Sequence, residues 1–280
     1  MKIGFIGAGN VGCSLGRYLN HKNIPVAGYY SRTKASADEA AKITNTRRFD
    51  TLKEIIDTCD TLFLTVPDGK IKEVWSEVKS FPIEGKTICH CSGAMSANIF
   101  SDIRKLGAYG YSIHPMFPFN SKTISYDVMQ EIFITVEGNQ ERIDEMTEMF
   151  HNLGNPVKVI TSENKTSYHA ASVMASNEVV ALLETAVRLL KKCQFKEEEA
   201  LHALKPLALY NMEHIFEVGT TKALTGPVER NDVGTVQKHL EVLDEEEKRI
   251  YLACSAMLLH ITKRKYPERE EDELRKLLEE

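Results

Sequence analysis

Residues 3–12 read Ile-Gly-Phe-Ile-Gly-Ala-Gly-Asn-Val-Gly, an apolar run that enters a Gly-x-Gly-x-x-Gly spacing. Few folds use three glycines in this way. Gly7 permits a tight turn, Gly9 lets backbone approach a phosphate group, and Gly12 lets a helix pack close to the preceding strand. The helix opening there presents free N–H groups and partial positive charge to an anion. The spacing alone is common, but here residues 2–6 read as a strand and residues 11–19 as a helix with Leu15 and Leu19 on one face. That context predicts that Gly7, Ala8, Gly9, Asn10, Val11 and Gly12 cradle a pyrophosphate.

Alternation of strand and helix continues beyond this loop. Strands are expected near residues 25–30, 61–66, 86–91, 109–114 and 131–136, with helices near 35–42, 71–78 and 97–105. The run Thr-Leu-Phe-Leu-Thr-Val at 61–66 is nearly continuous in apolar character, as in a strand covered on both faces. Repeated strand–helix units predict an α/β fold, a doubly wound Rossmann domain over residues 1–160. No strand is expected from residue 161 onward, so residues 161–280 are expected to form an all-α C-terminal domain. Its helices are expected at 164–192, at 196–218 with an interruption at Pro206, at 233–243 and at 245–264, the last capped by Asp244. Residues 268–280 read as a charged tail.

Cofactor choice is read at the end of the second strand. An NAD site places an acid there for the ribose 2′-hydroxyl. This chain has Ser31-Arg32-Thr33, with no acid, and a guanidinium with two hydroxyls suits a 2′-phosphate. The expected cofactor is therefore NADP(H). Val66 and Pro67 follow the next inner strand and are expected beside the adenine ribose, with Asp68 as a helix cap. Ser92 and Gly93 end a further strand and are expected near the nicotinamide, with Ser92 touching both cofactor and substrate.

Lys165, His169 and Asn177 recur at helical spacing on an otherwise apolar segment. Reduction of a C=O or C=N bond needs a proton donor, and Lys165 or His169 suits that role; as ordinary residues, His169 and Asn177 would be bonded in the core and Lys165 solvated. His114 opens a stiff His-Pro-Met-Phe-Pro-Phe segment that could roof a substrate or simply be structural. Arg230 could clamp a substrate carboxylate, or lie on the surface while Asn231 or Asp232 caps the following helix.

The formal net charge of −5 offers no basic field for nucleic acid or an anionic membrane. No stretch approaches the roughly 18 apolar residues of a membrane span, and no secretory signal is visible. The six cysteines show no CxxC pair, and Cys89-His90-Cys91 lacks a second ligand cluster, so reduced thiols, no metal and a cytoplasmic location are expected.

Four passages carry a resemblance that spans nearly the whole chain: residues 7–12, Cys91-Ser92-Gly93-Ala94, residues 165–171 with Ala175-Ser176-Asn177, and residues 224–232 continuing to His239-Leu240. Together they resemble a bacterial group pairing a Rossmann-like half, close to deazaflavin- and NADP-dependent oxidoreductases, with the helical domain of unknown function 2520. That group usually shows Arg-Gly-Asp in the last passage, where this chain has Arg230-Asn231-Asp232. More distantly, the arrangement is similar to 6-phosphogluconate dehydrogenase, 3-hydroxyacid dehydrogenases, pyrroline-5-carboxylate reductase and ketopantoate reductase. In several of these a helix lysine with an asparagine one turn on serves catalysis; Lys165 matches the lysine, and His169 stands at the asparagine position. The resemblance implies a helical domain that closes over the cleft and forms a homodimer. The expected function is NADPH-dependent reduction of a small carboxylate-bearing carbonyl or imine, with ketopantoate-like 2-oxo acids first. A non-catalytic NADP(H) sensor or structural protein is the alternative, and deazaflavin as hydride partner stays open.

Overall fold

The computed structural model describes Met1–Glu279, in two compact units, Met1–Ser176 and a second from Asn177 onward. The division falls after Ser176, not after residue 160, so the segment bearing Lys165 and His169 belongs to the first unit.

The first unit contains β1 (Ile3–Ile6), α1 (Asn10–His21), β2 (Val26–Tyr30), α2 (Lys34–Thr44), β3 (Arg47–Arg48), α3 (Leu52–Thr58), β4 (Thr61–Leu64) and α4 (Asp68–Val78). It continues with β5 (Thr87–His90), β6 (Tyr109–Pro115), α5 (Tyr126–Glu131), β7 (Ile134–Gly138), α6 (Ile143–Asn152), β8 (Val157–Val159) and α7 (Lys165–Met174). The eight strands form one sheet in the order β3-β2-β1-β4-β5-β6-β7-β8. All neighbours are parallel except β6 and β7. Strand order reverses between β1 and β4, which opens a crevice at the carboxyl ends of these strands.

Each sheet face has its own core. One gathers Phe5, Leu15, Tyr29, Phe63, Tyr111 and Val136; the other gathers Ile6, Ile55, Leu64, Trp75, Ile88 and Phe100. Every residue of β1, β4 and β5 is buried, the signature of strands covered on both faces. The stretch expected as a helix over 97–105 is a single 3-10 turn, Ala97–Ile99, followed by turns, with Asp102 in left-handed backbone at φ 64°.

The second unit is all helical: α8 (Asn177–Lys192), α9 (Glu197–Val218), α10 (Thr220–Ala223), α11 (Val233–Val242), α12 (Glu245–Lys265) and α13 (Asp272–Glu279). The expected continuous helix over 164–192 is broken at Ala175–Ser176, where Ser176 N–H bonds back three residues to Val173. Pro206 lies inside α9 without ending it. Asp244 caps α12 as expected, accepting from Glu246 and Glu247, while Glu247 reaches back to the Asp244 N–H. The charged tail forms α13, because Leu274 and Leu278 bury against Val228, Val236 and Leu259.

Candidate functional site

The glycine loop at residues 7–12 makes a tight turn packed against β4. Gly7 sits at φ 112°, and a Cβ there would come 2.5 Å from the Thr65 carbonyl oxygen. A Cβ at Gly12 would collide with the Thr65 hydroxyl, which donates to the Gly7 carbonyl at 3.0 Å and ties β4 to the loop. Gly9 differs: a Cβ there would meet no protein atom within 4 Å. Packing demands glycine at Gly7 and Gly12, whereas at Gly9 only the approach of a ligand would. Gly9 is also the N-cap of α1 and supplies no side-chain cap, so the first N–H groups of the helix remain available to an anion. Ala8 is buried and Val11 half-buried beside them. The Asn10 amide donates to the Phe119 carbonyl at 3.0 Å, which draws the Pro-Phe segment after β6 against the loop. Sequence spacing assigned Asn10 to phosphate contact and gave no sign of this tie.

Beside the loop lies a cleft of about 160 Å³ lined by Gly7, Ser31, Arg32, Thr33, Val66 and Pro67, all residues expected from the sequence. Tyr30, Lys70 and Glu73 line it too and were not anticipated. Arg32 is exposed and lies 3.6 Å from Glu73, while Lys70 holds the same carboxylate at 2.6 Å. Two cations therefore flank the Glu73 carboxylate at this cleft. The donor set fits an NADP dinucleotide: open backbone at Gly9, a free helix N-terminus, and Arg32 with Ser31, Thr33 and Lys70 at the cleft.

At the end of β5, Ser92 organises a tight polar turn. Its hydroxyl donates to Asp68 at 2.6 Å and accepts from the Ala94 and Met95 N–H groups. Asp68 is the first residue of α4 with Pro67 as N-cap, so its carboxylate holds Ser92 instead of capping the helix. His90 accepts from the Ser92 N–H at Nδ1 and faces the Ser96 carbonyl with Nε2; burial pushes this imidazole down to about 4. Both ring nitrogens are engaged in the protein, and no cluster of potential metal ligands occurs among the described residues.

Lys165 opens α7 and is 2 % exposed. Its ammonium donates to the Ser92 carbonyl at 3.0 Å and to the Ser112 hydroxyl at 2.8 Å, leaving a third N–H. Burial lowers its pKa to about 8, opposed first by the charge of Glu137, then by Cys91 and Asp68. This is a buried amine poised near neutrality, not the solvated lysine of the plainer reading.

Gly93 lies between two imidazoles. A Cβ there would come 2.8 Å from His169 Nδ1 and 2.9 Å from His114 Nε2. His114 stands near the end of β6, and its Nδ1 lies 2.6 Å from the Tyr168 hydroxyl. Burial, with Lys165 and the neighbouring histidines, lowers the His114 pKa to about 3, so the ring is neutral and shares one hydrogen bond with Tyr168. His169 Nδ1 is buried with no hydrogen-bond partner. The structure thus brings together Ser92, Gly93, His114, Lys165 and His169, and adds Asp68, Ser112 and Tyr168. Ser112 carried one signal, a polar residue inside a strand run.

Asn177 and Arg230 belong to the second unit, and both are exposed there. Asp232 caps α11 by accepting from Thr235, the plainer of the two roles considered for this loop. Asn231, at the usual glycine of the group, takes left-handed backbone at φ 56°, a conformation asparagine tolerates.

A Rossmann-like domain is matched over residues 1–115, and the domain of unknown function DUF2520 over residues 132–257. Protein TM1727 from Thermotoga maritima shares the fold with a TM-score of 0.74 at 24% identity, over 94% of this chain and 99% of that one. Plasmodium falciparum pyrroline carboxylate reductase, solved with NADP bound, superposes with a TM-score of 0.62 at 15% identity, covering 95% of this chain and 96% of the other. An imine reductase from Myxococcus stipitatus in complex with NADP+ gives 0.60 at 16% identity, with 94% and 93% covered. No curated protein matches the chain. At these identities the likeness shows the fold alone, and the two domain matches give a Rossmann-like domain followed by DUF2520.

Proposed function

We propose that this protein is an NADPH-dependent reductase of a small C=O or C=N substrate bearing a carboxylate. The observation that carries the reading is Lys165: a buried amine held beside the Ser92–Gly93 turn at the carboxyl end of β5. A lysine buried in this way costs stability, and a pKa near 8 suits a general acid at neutral pH. Bound NADPH would supply the hydride. The residues expected to hold it are Gly7, Ala8, Gly9, Asn10, Val11 and Gly12 at the pyrophosphate, Ser31, Arg32 and Thr33 at the 2′-phosphate, Val66 and Pro67 at the ribose, and Ser92 near the nicotinamide.

In this reading Lys165 carries the proton that the reduced heteroatom needs. Its bonds to Ser92 and Ser112 fix the direction of the third N–H. His114, neutral, and His169 shape the other side of Gly93, and His169 hydrogen-bonds substrate. Asn177 and Arg230 remain candidates for substrate contact, Arg230 for the carboxylate. Relatives that share the fold include a pyrroline carboxylate reductase and an imine reductase, whose substrates carry C=N bonds. This favours imines alongside the 2-oxo acids expected first. The helical domain would supply a homodimer contact: α9 buries only Ala200 and leaves Leu201, Leu207, Tyr210 and Phe216 exposed.

The deciding experiment is a titration with NADPH and NADH, repeated on Arg32→Ala. NADPH preference that falls tenfold or more in the variant supports the cofactor assignment. Absent or equal binding of both refutes it. Lys165→Met should then lower turnover on oxo-acid and imine substrates by about 10²-fold or more. NADPH binding without hydride transfer to any substrate of that panel would point to a sensor.

A further inference from the structure

A second, larger cavity of about 590 Å³ belongs to none of the residues assigned above. It is lined by Asn98, Phe100, Asp102, Glu137, Asn139 and Glu163, among others. Asn139 follows β7 and accepts from the N–H of Gly110, near the start of β6, and Gly138 pairs with Tyr111. The cavity therefore lies toward the amino ends of the parallel strands, whereas the phosphate loop follows the carboxyl end of β1.

Glu137 is the notable residue in its wall. It is 6 % exposed, in a strand whose neighbours Ile134 and Val136 are core. One carboxylate oxygen accepts from the Ala97 N–H at 2.7 Å. Glu137 pairs with Ser112, and Ser112 with His90, so the three side chains form a polar row on one sheet face. Lys165 bonds to the middle member of that row. The carboxylate thus stands one strand away from the ammonium and also lines the cavity.

We infer that Glu137 is a positioning residue for Lys165: its carboxylate, in the cavity wall, keeps the buried amine in the ammonium form. Other charged or titratable groups near Lys165 are Asp68, Cys91, His90 and His114. Glu137 itself faces Lys165, the Ala97 N–H and Glu163. Of the groups acting on Lys165, Glu137 has the largest charge effect. Its role in turnover rests on the reductase reading. There, Lys165 gives its proton to the substrate heteroatom and becomes a neutral amine. The ionised Glu137 carboxylate favours return of the amine to the ammonium form with a proton from solvent, so each turnover consumes one solvent proton.

The electrostatic part is testable without a substrate. Full-length protein carrying ¹³C at the lysine ε-carbons is titrated by NMR, with the Lys165 resonance identified by its loss in Lys165→Met. Removing a nearby negative charge lowers a lysine pKa. Wild-type Lys165 should titrate near 8. Glu137→Gln should titrate at least about one unit lower, a tenfold change in the equilibrium. Glu137→Asp should recover part of the difference, and Glu163→Gln at the cavity wall should match wild type. An unchanged Lys165 titration in folded Glu137→Gln overturns the inference. If that variant does not fold, wild-type behaviour in folded Glu137→Asp overturns it equally. Failure to bind NADPH would sink the reductase reading while leaving this titration unaffected.

Discussion

Replacing Lys165 with methionine should change how the stability of the protein depends on pH. The lysine pKa is 10.5 in the unfolded chain and about 8 in the folded protein, chiefly through desolvation. Below pH 8 both states are protonated, and the fold bears the full cost of burying the charge. Between 8 and 10.5 the folded amine loses its proton while the unfolded one keeps it, so the unfolded chain binds more protons and stability rises with pH. Above 10.5 both are neutral and the rise stops. A shift of 2.5 units, 10.5 minus 8, at about 1.36 kcal/mol each, corresponds to about 3 kcal/mol. Methionine matches lysine in length and carries no charge. The difference in unfolding free energy, wild type minus Lys165→Met, should be flat from pH 6 to 8 and climb by about 3 kcal/mol by pH 10.5. The absolute offset also includes the Ser92 and Ser112 acceptors left unpaired, so the slope is the quantity to read. Urea unfolding followed by Trp75 fluorescence suits the purpose, because Trp75 is the chain's single tryptophan and is buried in the first unit. A rise of less than about 1 kcal/mol would refute the claim that the amine is buried and charged near neutral pH.

The glycine loop separates packing from binding. Gly7→Ala should destabilise the first unit by roughly 1–3 kcal/mol in thermal melts, through the Thr65 carbonyl and the positive φ. Gly9→Ala meets nothing in the protein, so it should change stability by less than about 0.5 kcal/mol yet weaken NADPH binding tenfold or more in a fluorescence titration. Equal NADPH affinity in Gly9→Ala and wild type would remove the loop from the cofactor site. Ser92→Ala strands the Asp68 carboxylate and two N–H groups, which should lower the unfolding free energy by about 1–3 kcal/mol in urea titration; an unchanged midpoint would show that the turn is held by other contacts.

What could be read from the sequence was local. The glycine loop and the Ser31-Arg32-Thr33 turn each lie within a few residues, so the expectations there rest on neighbours along the chain. The strands that form the sheet centre were legible because burial on both faces leaves continuous apolar runs. The two-residue β3 and three-residue β8 were not, since an edge strand that short has no pattern to show. The break between α7 and α8 also escaped, as Ala175-Ser176 contains neither glycine nor proline. In α13, Leu274 and Leu278 repeat at helical spacing, but the surrounding charges hid it.

The candidate site was only partly legible, for a different reason. Lys165 and His169 stood out because polar residues on an apolar helix need a partner, yet the sequence could not name one. The partners come from strand register: Ser112 meets Lys165, and Glu137 stands beside Ser112, only because β6 and β7 pair antiparallel with those residues opposite. A shift of one residue would turn every side chain of β7 to the other face, placing Val136 or Gly138 beside Ser112 and Glu137 in the opposite core. The core residues of β7, Ile134 and Val136, hold that register on one face, while the Ala97 N–H and the polar row hold it on the other. A carboxylate in this position, inside a strand paired on both sides, is therefore not a tolerated accident. It is satisfied in only one register, and in that register it faces the amine on which the proposed chemistry depends.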